Sequence, residues 1–291
     1  MKKRFFLLSA AIICTGLLAQ AQIKPTFNPV KGETYTYRIV SNQKISQSFG
    51  GQSMNINSVT EFLTEMKVKE KTGNEVSVDY TYKEILLSVT TPLMSIKVDT
   101  KKKDDNASDM DKLIGNMLDC FIGKPIQVTL LQDGSVQSVS GYDAIMSEVQ
   151  KILSSANAIQ KQMANTFMQS FTEDGVKSSF EQMFRIYPDK EIKNGESWKI
   201  DLSLSLGAMS SKVNNTYTLK SVSNDVALLD IASIMSSDSG INGEQKGEMK
   251  LNLKTGLPVQ SKTEGTAKGK MTVQGIETTM DMTIQTTTTL Q

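Results

Sequence analysis

From Glu33 onward apolar side chains fall on alternate positions. Tyr35, Tyr37, Ile39, Ile45 and Phe49 are all odd, with polar residues between them. A period of two predicts a long strand with one apolar face. Gly50-Gly51 turns the chain, and Met54, Ile56, Phe62, Met66 and Val68 continue on even positions. A hairpin is expected at Lys71-Thr72-Gly73-Asn74. Val76, Val78, Tyr80 and Tyr82 then share a face, whereas Ile85, Leu87 and Val89 have changed parity, which predicts a β-bulge at Lys83-Glu84. A short strand carries Met94, Ile96 and Val98, followed by a charged loop from Lys101 to Asn106. Ser108 and Asp111 form a capping box for a short helix over 111–122, which Gly123 and Pro125 end. Two further strands flank Asp133-Gly134.

The period changes to three and four from Asp143 to Phe171, through Ile145, Val149, Ile152, Ala156, Ile159, Met163 and Phe167. This spacing predicts one long amphipathic helix. A second helical piece carries Phe180, Met183 and Phe184, and Pro188 closes the interval. Alternation resumes at Glu196 with Trp198, Ile200, Leu202, Leu204 and Leu206, and passes through Val213, Tyr217 and Leu219. A strand from Val226 to Met235 is apolar at almost every position. A polar loop is expected from Ser236 to Glu244, then a strand with Met249 and Leu251, a turn at Lys254-Thr255-Gly256, a strand from Pro258 to Val273, a turn at Gln274-Gly275 and a Thr-rich last strand. About twelve strands with few helices make an antiparallel, mainly β domain of α+β type.

One phrase occurs twice. Lys31-Gly32-Glu33-Thr34-Tyr35 matches Asn194-Gly195-Glu196-Ser197-Trp198, and each opens three strands joined by tight turns. Asn74-Glu75-Val76 matches Asn224-Asp225-Val226, and Asp133-Gly134 matches Thr255-Gly256, in the same order. The reading is two related antiparallel modules, 22–141 and 188–291, around a helical interval at 142–187. Together they form a curved sheet or half-barrel covered by the long helix. The same phrase is also good strand-opening chemistry in its own right, with glycine in the turn and an aromatic at the first inward position. Trp198, as the counterpart of Tyr35, is expected to point inward.

Residues 1–21 change the address of the protein. Lys2, Lys3 and Arg4 precede an apolar run from Phe5 to Ala19 that is too short to span a bilayer comfortably, and Ala19-Gln20-Ala21 is a small-x-small cleavage site. This predicts a signal peptide removed before Gln22, hence a periplasmic, envelope-associated or extracellular protein without a later transmembrane helix. Cys14 within the run raises a lipidation signal, but Ile12 and Ile13 precede it where a small residue is needed. Cleavage leaves 29 basic against 31 acidic residues. That balance gives no field for nucleic acid, and Asp104 and Asp105 answer the only basic run, Lys101 to Lys103. Cys120 is then the sole cysteine, so no internal disulfide forms.

The chain has no histidine, which removes Ser-His-Asp and Cys-His nucleophile systems and His-ligated zinc. Cys120, beside Phe121 and Ile122, reads as a buried structural thiol. Ser41-Asn42-Gln43-Lys44 spells S-x-x-K and Lys254-Thr255-Gly256 spells K-T-G, the pattern of penicillin-recognising enzymes. Ser41, however, falls within a strand where a helix start is needed, and K-T-G recurs at Lys71 to Gly73 as a hairpin turn. Asp104, Asp105, Asp109 and Asp111, and likewise Asp238, Asn242 and Glu244, lack calcium-loop spacing. No phosphate-binding glycine loop is present, and no cofactor or metal is implied. Fifteen methionines follow the initiator, many on strand faces, and methionine adapts to irregular space.

The segment Met183-Phe184-Arg185-Ile186-Tyr187-Pro188-Asp189-Lys190, followed by Gly195-Glu196-Ser197-Trp198, resembles a family of exported Bacteroidota proteins of unknown function. The signal ending in Ala-Gln, the opening at Lys31 to Tyr37, the middle from Gly123 to Gly141 and the Thr-rich end are similar as well. That resemblance implies no catalytic or binding residue. At the level of fold, the helix-covered sheet and the turn at Thr255 to Val259 look like the lipoprotein-carrier-like curved sheets that hold acyl chains. The functional expectation is a non-enzymatic binder of a hydrophobic ligand, an acyl chain or lipid, between sheet and helix. Its walls are Tyr35, Tyr37, Ile152, Ile159, Trp198, Met280 and Met282. The alternative is a structural or interaction module of the envelope whose last strand, Thr278 to Thr289, is an open edge that pairs with a partner. An outer-membrane barrel fits less well, since aromatic residues are 6% of the chain and form no paired girdles.

Overall fold

The computed structural model of the protein describes residues 22–49, 52–168, 171–206, 209–273 and 276–291. The expected signal peptide and the turns at Gly50-Gly51 and Gln274-Gly275 lie outside these. The strands are β1 (Thr34–Phe49), β2 (Gln52–Thr72), β3 (Glu75–Thr90), β4 (Ser95–Asp99), β5 (Pro125–Leu131), β6 (Val136–Ser140), β7 (Ser197–Leu206), β8 (Met209–Ser223), β9 (Val226–Ser237), β10 (Ile241–Asn252), β11 (Pro258–Val273) and β12 (Ile276–Leu290). The helices are α1 (Asp109–Asp119), α2 (Tyr142–Ser154), α3 (Ala158–Met168) and α4 (Glu173–Phe184). All twelve strands join one curved, unclosed antiparallel sheet in the order β6-β5-β3-β2-β1-β12-β11-β10-β9-β8-β7, with β4 added to β3.

Several local expectations are met in detail. The change of parity in β3 is a bulge: Leu63 faces Glu84 while Thr64 faces Tyr82, so Lys83 is the extra residue. At α1 the Ser108 side chain accepts from the Asp111 amide while the Asp111 carboxylate accepts from the Ser108 amide.

The repeated phrase is used the same way twice. Gly32 and Gly195 take φ of +86° and +85°, a left-handed turn that favours glycine. Each glycine amide donates to the second strand of its unit, at Val68 (2.9 Å) and Leu219 (2.7 Å), and the amides of Val68 and Leu219 donate back to Glu33 and Glu196. A bulge follows at once in both strands, at Lys69 and Lys220. Each bulged lysine pairs with an aspartate on the next strand, Asp79 at 3.3 Å and Asp230 at 3.0 Å. Trp198 is 7% exposed, as its counterpart position predicts, and its indole donates to the Ile186 carbonyl.

Three expectations are corrected. The long helix over 143–171 is two helices, α2 and α3, and α4 begins separately under its own Thr172 cap. Ser154 and Ser155 turn their hydroxyls back onto the carbonyls of Lys151 and Ile152, and Asn157 and Gln160 form a new reciprocal cap at 3.0 Å in each direction. That cap starts α3 as a separate helix. The supposed loop Ser236 to Glu244 is a tight turn at 238–240, because β9 and β10 run on as polar, alternating strands. Finally, the Thr-rich strand is no edge. β12 pairs with β1 from Thr278 to Leu290 and with β11 from Ile276 to Thr289, so it joins the two halves of the sheet. The sheet ends on β6 and β7 instead.

The helices lie over one end of the inner face. α4 touches both terminal strands, β6 and β7, and the Glu181 carboxylate accepts from the Val136 amide. Segment 22–30 ties the same end together: Phe27 donates to Gln132 beside the Asp133-Gly134 turn, and Asn28 donates to Thr255 in the matching turn. Beneath, ring packs on ring, including Phe27–Phe184 at 5.1 Å, Tyr80–Phe180 at 4.8 Å and Phe121–Phe171 at 4.9 Å. Such pairs contribute about 0.5–1.5 kcal/mol each beyond their burial.

Candidate functional site

The space between sheet and helices is filled by these rings, and the seven expected wall residues are dispersed. Tyr37 (1% exposed) and Trp198 lie in the core, Trp198 stacked on Tyr217 at 5.6 Å, and Tyr35 packs against the core with its hydroxyl accepting from the Val30 amide. Ile152 packs against the core from α2. Ile159, two residues past the Asn157 cap at the start of α3, is 72% exposed. Met280 and Met282 lie elsewhere, on the half of the inner face that the helices do not reach.

That helix-free half has a regular composition, read directly from the strand register. Ile56 faces Ile45, which faces Met282, which faces Ala267; the row continues through Gly243, Met235, Val213 and Leu202. Directly opposite residues share a face, so eight strands contribute one apolar band. Met54 and Met280 flank it toward the sheet tip, and Ile284 on the helix side. Ile45, Met54, Ile56, Met280, Met282 and Ile284 are half-buried, and none belongs to the core or packs against it. On the β7–β11 side the two ends of the row, Leu202 and Ala267, are each 2% exposed, while Gly243, Met235 and Val213 between them are half-buried.

Between the band and the helix-covered core runs a polar belt. Ser41 lies between Thr60 and Thr286, and Gln43 beside Ser58. Farther along, Ser233 donates to Asn215 at 2.6 Å and Gln245 to Thr263 at 2.7 Å. From Tyr37 outward, no described inner-facing residue of β1, β2 or β7 to β12 is charged. The charges stand on the other face, in pairs such as Lys246–Glu264 (3.3 Å) and Lys268–Asp281 (2.7 Å). Two open hollows, of about 440 and 750 Å³, are lined mainly by these outward residues, and neither lies between sheet and helices.

Curvature here has a local cause. Gly243, Gly247, Gly265 and Gly269 all lie on the inner face of the β10–β11 pair. A Cβ at Gly247 would stand 2.1 Å from the Lys262 carbonyl oxygen, and one at Gly269 2.4 Å from that of Gly240. The strands approach so closely on this concave side that no side chain fits.

Burial, and then the nearby Glu148, push the Cys120 thiol above its usual pKa, so it stays protonated. Burial also raises the phenols, that of Tyr80 to about 12. Ser41 and Lys44 lie on opposite faces of β1, which breaks the S-x-x-K geometry. Among the described residues no group of three or more Cys, Asp or Glu could hold a metal, and no helix is long and apolar enough to cross a membrane. The signal for the band was present in strand parity, but it required the pairing of β12 with β1, which no local pattern announces.

No curated protein matches the chain. Among solved structures, a lipovitellin structure concerned with lipid–protein interactions aligns with TM-score 0.50 at 9% identity, covering 91% of this chain and 25% of that one. The chain thus spans about a quarter of that protein, and the likeness is one of fold. The OccK5 (OpdH) structure of Pseudomonas aeruginosa aligns with TM-score 0.22 at 6% identity, covering 91% of this chain and 100% of that one. The COG4313 outer membrane channel of Pseudomonas putida F1 gives 0.22 at 8% identity, covering 91% and 98%. A family model matches from Gly73 to the last residue, so the opening at Lys31 to Tyr37 falls outside the matched span. On that match over residues 73–291, the chain belongs to a family of unknown function, DUF6263.

Proposed function

We propose that the protein is a non-enzymatic, exported binder of an apolar ligand, an acyl chain or lipid, held on the helix-free half of the concave face. The observation that carries this reading is the set of six half-buried apolar side chains, Ile45, Met54, Ile56, Met280, Met282 and Ile284, standing outside the core on a face without charge. Three of the six are methionines, which repack around varied shapes. The lipid–protein interactions of lipovitellin accord with a curved sheet of this kind serving apolar cargo.

The scale follows from strand geometry. From Met280 to Ile284 is about 14 Å along the strand, and β2 to β12 is about 10 Å across. Covering this patch and the matching ligand surface removes roughly 280 Å² from water, about 7 kcal/mol before lost ligand freedom is deducted. The affinity is therefore no tighter than a Kd of about 10 µM.

The test is a fluorescence titration with laurdan, an uncharged lauroyl fluorophore, on the chain lacking residues 1–21. Saturable binding is expected, weakened at least about tenfold by Met282→Lys and unchanged by Ser46→Lys on the outer face. Absence of saturable binding, or a Met282→Lys variant that binds like the parent, overturns the proposal.

A further inference from the structure

We infer that this face selects an uncharged amphiphile, one that places an ester, amide or hydroxyl group on the polar belt and its hydrocarbon on the apolar band. The inference rests on the reading of the concave face as an apolar-ligand site and specifies its ligand class.

The belt and the band are adjacent rows of the same strands. Gln43 precedes Ile45 by two residues on β1, and Ser58 follows Ile56 by two on β2. Two residues along a strand are about 7 Å. A head group at Gln43 and Ser58 therefore lets its chain run over Ile45 and Met282 to reach Met54 and Met280 about 14 Å away.

The chemistry of the belt is specific in what it offers. Ser41 and Thr286 are joined only by a long contact of 3.4 Å, and the side chains of Gln43, Ser58 and Thr60 make no hydrogen bond among the described residues. These hydroxyls and one amide both donate and accept, as an ester, amide or alcohol requires. They cannot neutralise a charge. The nearest lysines and carboxylates on these strands, such as Lys44, Lys268 and Asp281, project from the opposite face. An ionised head group brought to the belt loses hydration without gaining a counter-charge, which is strongly unfavourable for either sign.

The test displaces laurdan with three ligands sharing one lauroyl-length chain: a monoacylglycerol, the fatty acid at pH 8, and an alkyl-trimethylammonium. The monoacylglycerol is expected to displace at least about tenfold more effectively than either ion. Gln43→Lys places a cation in the belt and is expected to bring the carboxylate level with or ahead of the ester; Ser58→Lys serves the same purpose should Gln43→Lys fail to fold. Equal displacement by all three ligands, or preference for an ion in the parent protein, overturns the selectivity and leaves the apolar site standing. Failure of laurdan itself to bind overturns the site.

Discussion

Replacing Gly247 with alanine probes the curvature that makes the face concave. The new Cβ stands 2.1 Å from the Lys262 carbonyl oxygen and 2.8 Å from the Thr263 Cα, whereas ordinary contact begins at 3.4 Å. Both obstacles are backbone, so relief requires β10 and β11 to part by roughly 1 Å over a paired stretch from Ile241 to Lys250. Overpacking of this kind costs about 1–3 kcal/mol. For a chain of this size each kilocalorie lowers Tm by about 2–4 °C, so a fall of roughly 3–10 °C is expected in a circular dichroism melt. Flattening at this point also moves Ala267 relative to Met282, so laurdan affinity falls in the material that remains folded. Gly115→Ala is the counterpart: its Cβ meets Val98 at an ordinary 3.5 Å inside α1, and the change stabilises by up to about 1 kcal/mol. A Gly247→Ala protein with unaltered Tm and unaltered probe binding would refute the claim that the glycine row sets the curve.

Other outcomes follow from buried tyrosines. Among the described residues the buried Tyr37 hydroxyl has no hydrogen-bond partner, so Tyr37→Phe is neutral or raises Tm by a few degrees; the Tyr187 hydroxyl donates to Gly256 at 2.6 Å, so Tyr187→Phe lowers stability by about 1–2 kcal/mol in urea titration. Burial raises the phenols of Tyr80 and Tyr142 to about 12 from the ordinary 10.0. The unfolded chain loses these protons first, so the stabilisation is complete below pH 10 and is lost as pH rises toward 12. Tyrosinate absorbance and loss of circular dichroism should therefore rise together; ionisation of every tyrosine near pH 10 with the fold intact would contradict this burial.

Much of the architecture was legible because strand period is a strong local signal. The bulge at Lys83 was visible as a change of parity, and Ser108 and Asp111 announced α1. The break between α2 and α3 had a local signal too, in Asn157 and Gln160, but the apolar spacing on either side continued across it and masked the cap. Ile159 lies just past that cap and is exposed, although the spacing alone puts it on the apolar stripe. The position of β12 was not legible. Its pairing with β1 joins residues more than 200 apart in sequence, and a Thr-rich strand with half-buried alternation fits an edge as well as a seam. The site suffered the same limit: Met280 and Met282 were recognisable as inward, but the band they form with Ile45 and Ile56 exists only through that seam.

Methyl spectra of protein labelled at methionine, recorded as monoacylglycerol is added, show whether apolar ligand lies on the helix-free concave face. Met54, Met280 and Met282 are half-buried on that face, whereas Met66 and Met117 are fully buried in the core. Saturable shifts are expected at Met54, Met280 and Met282, with Met66 and Met117 unmoved. Shifts confined to Met66 and Met117, or none at all, would contradict that placement of the ligand.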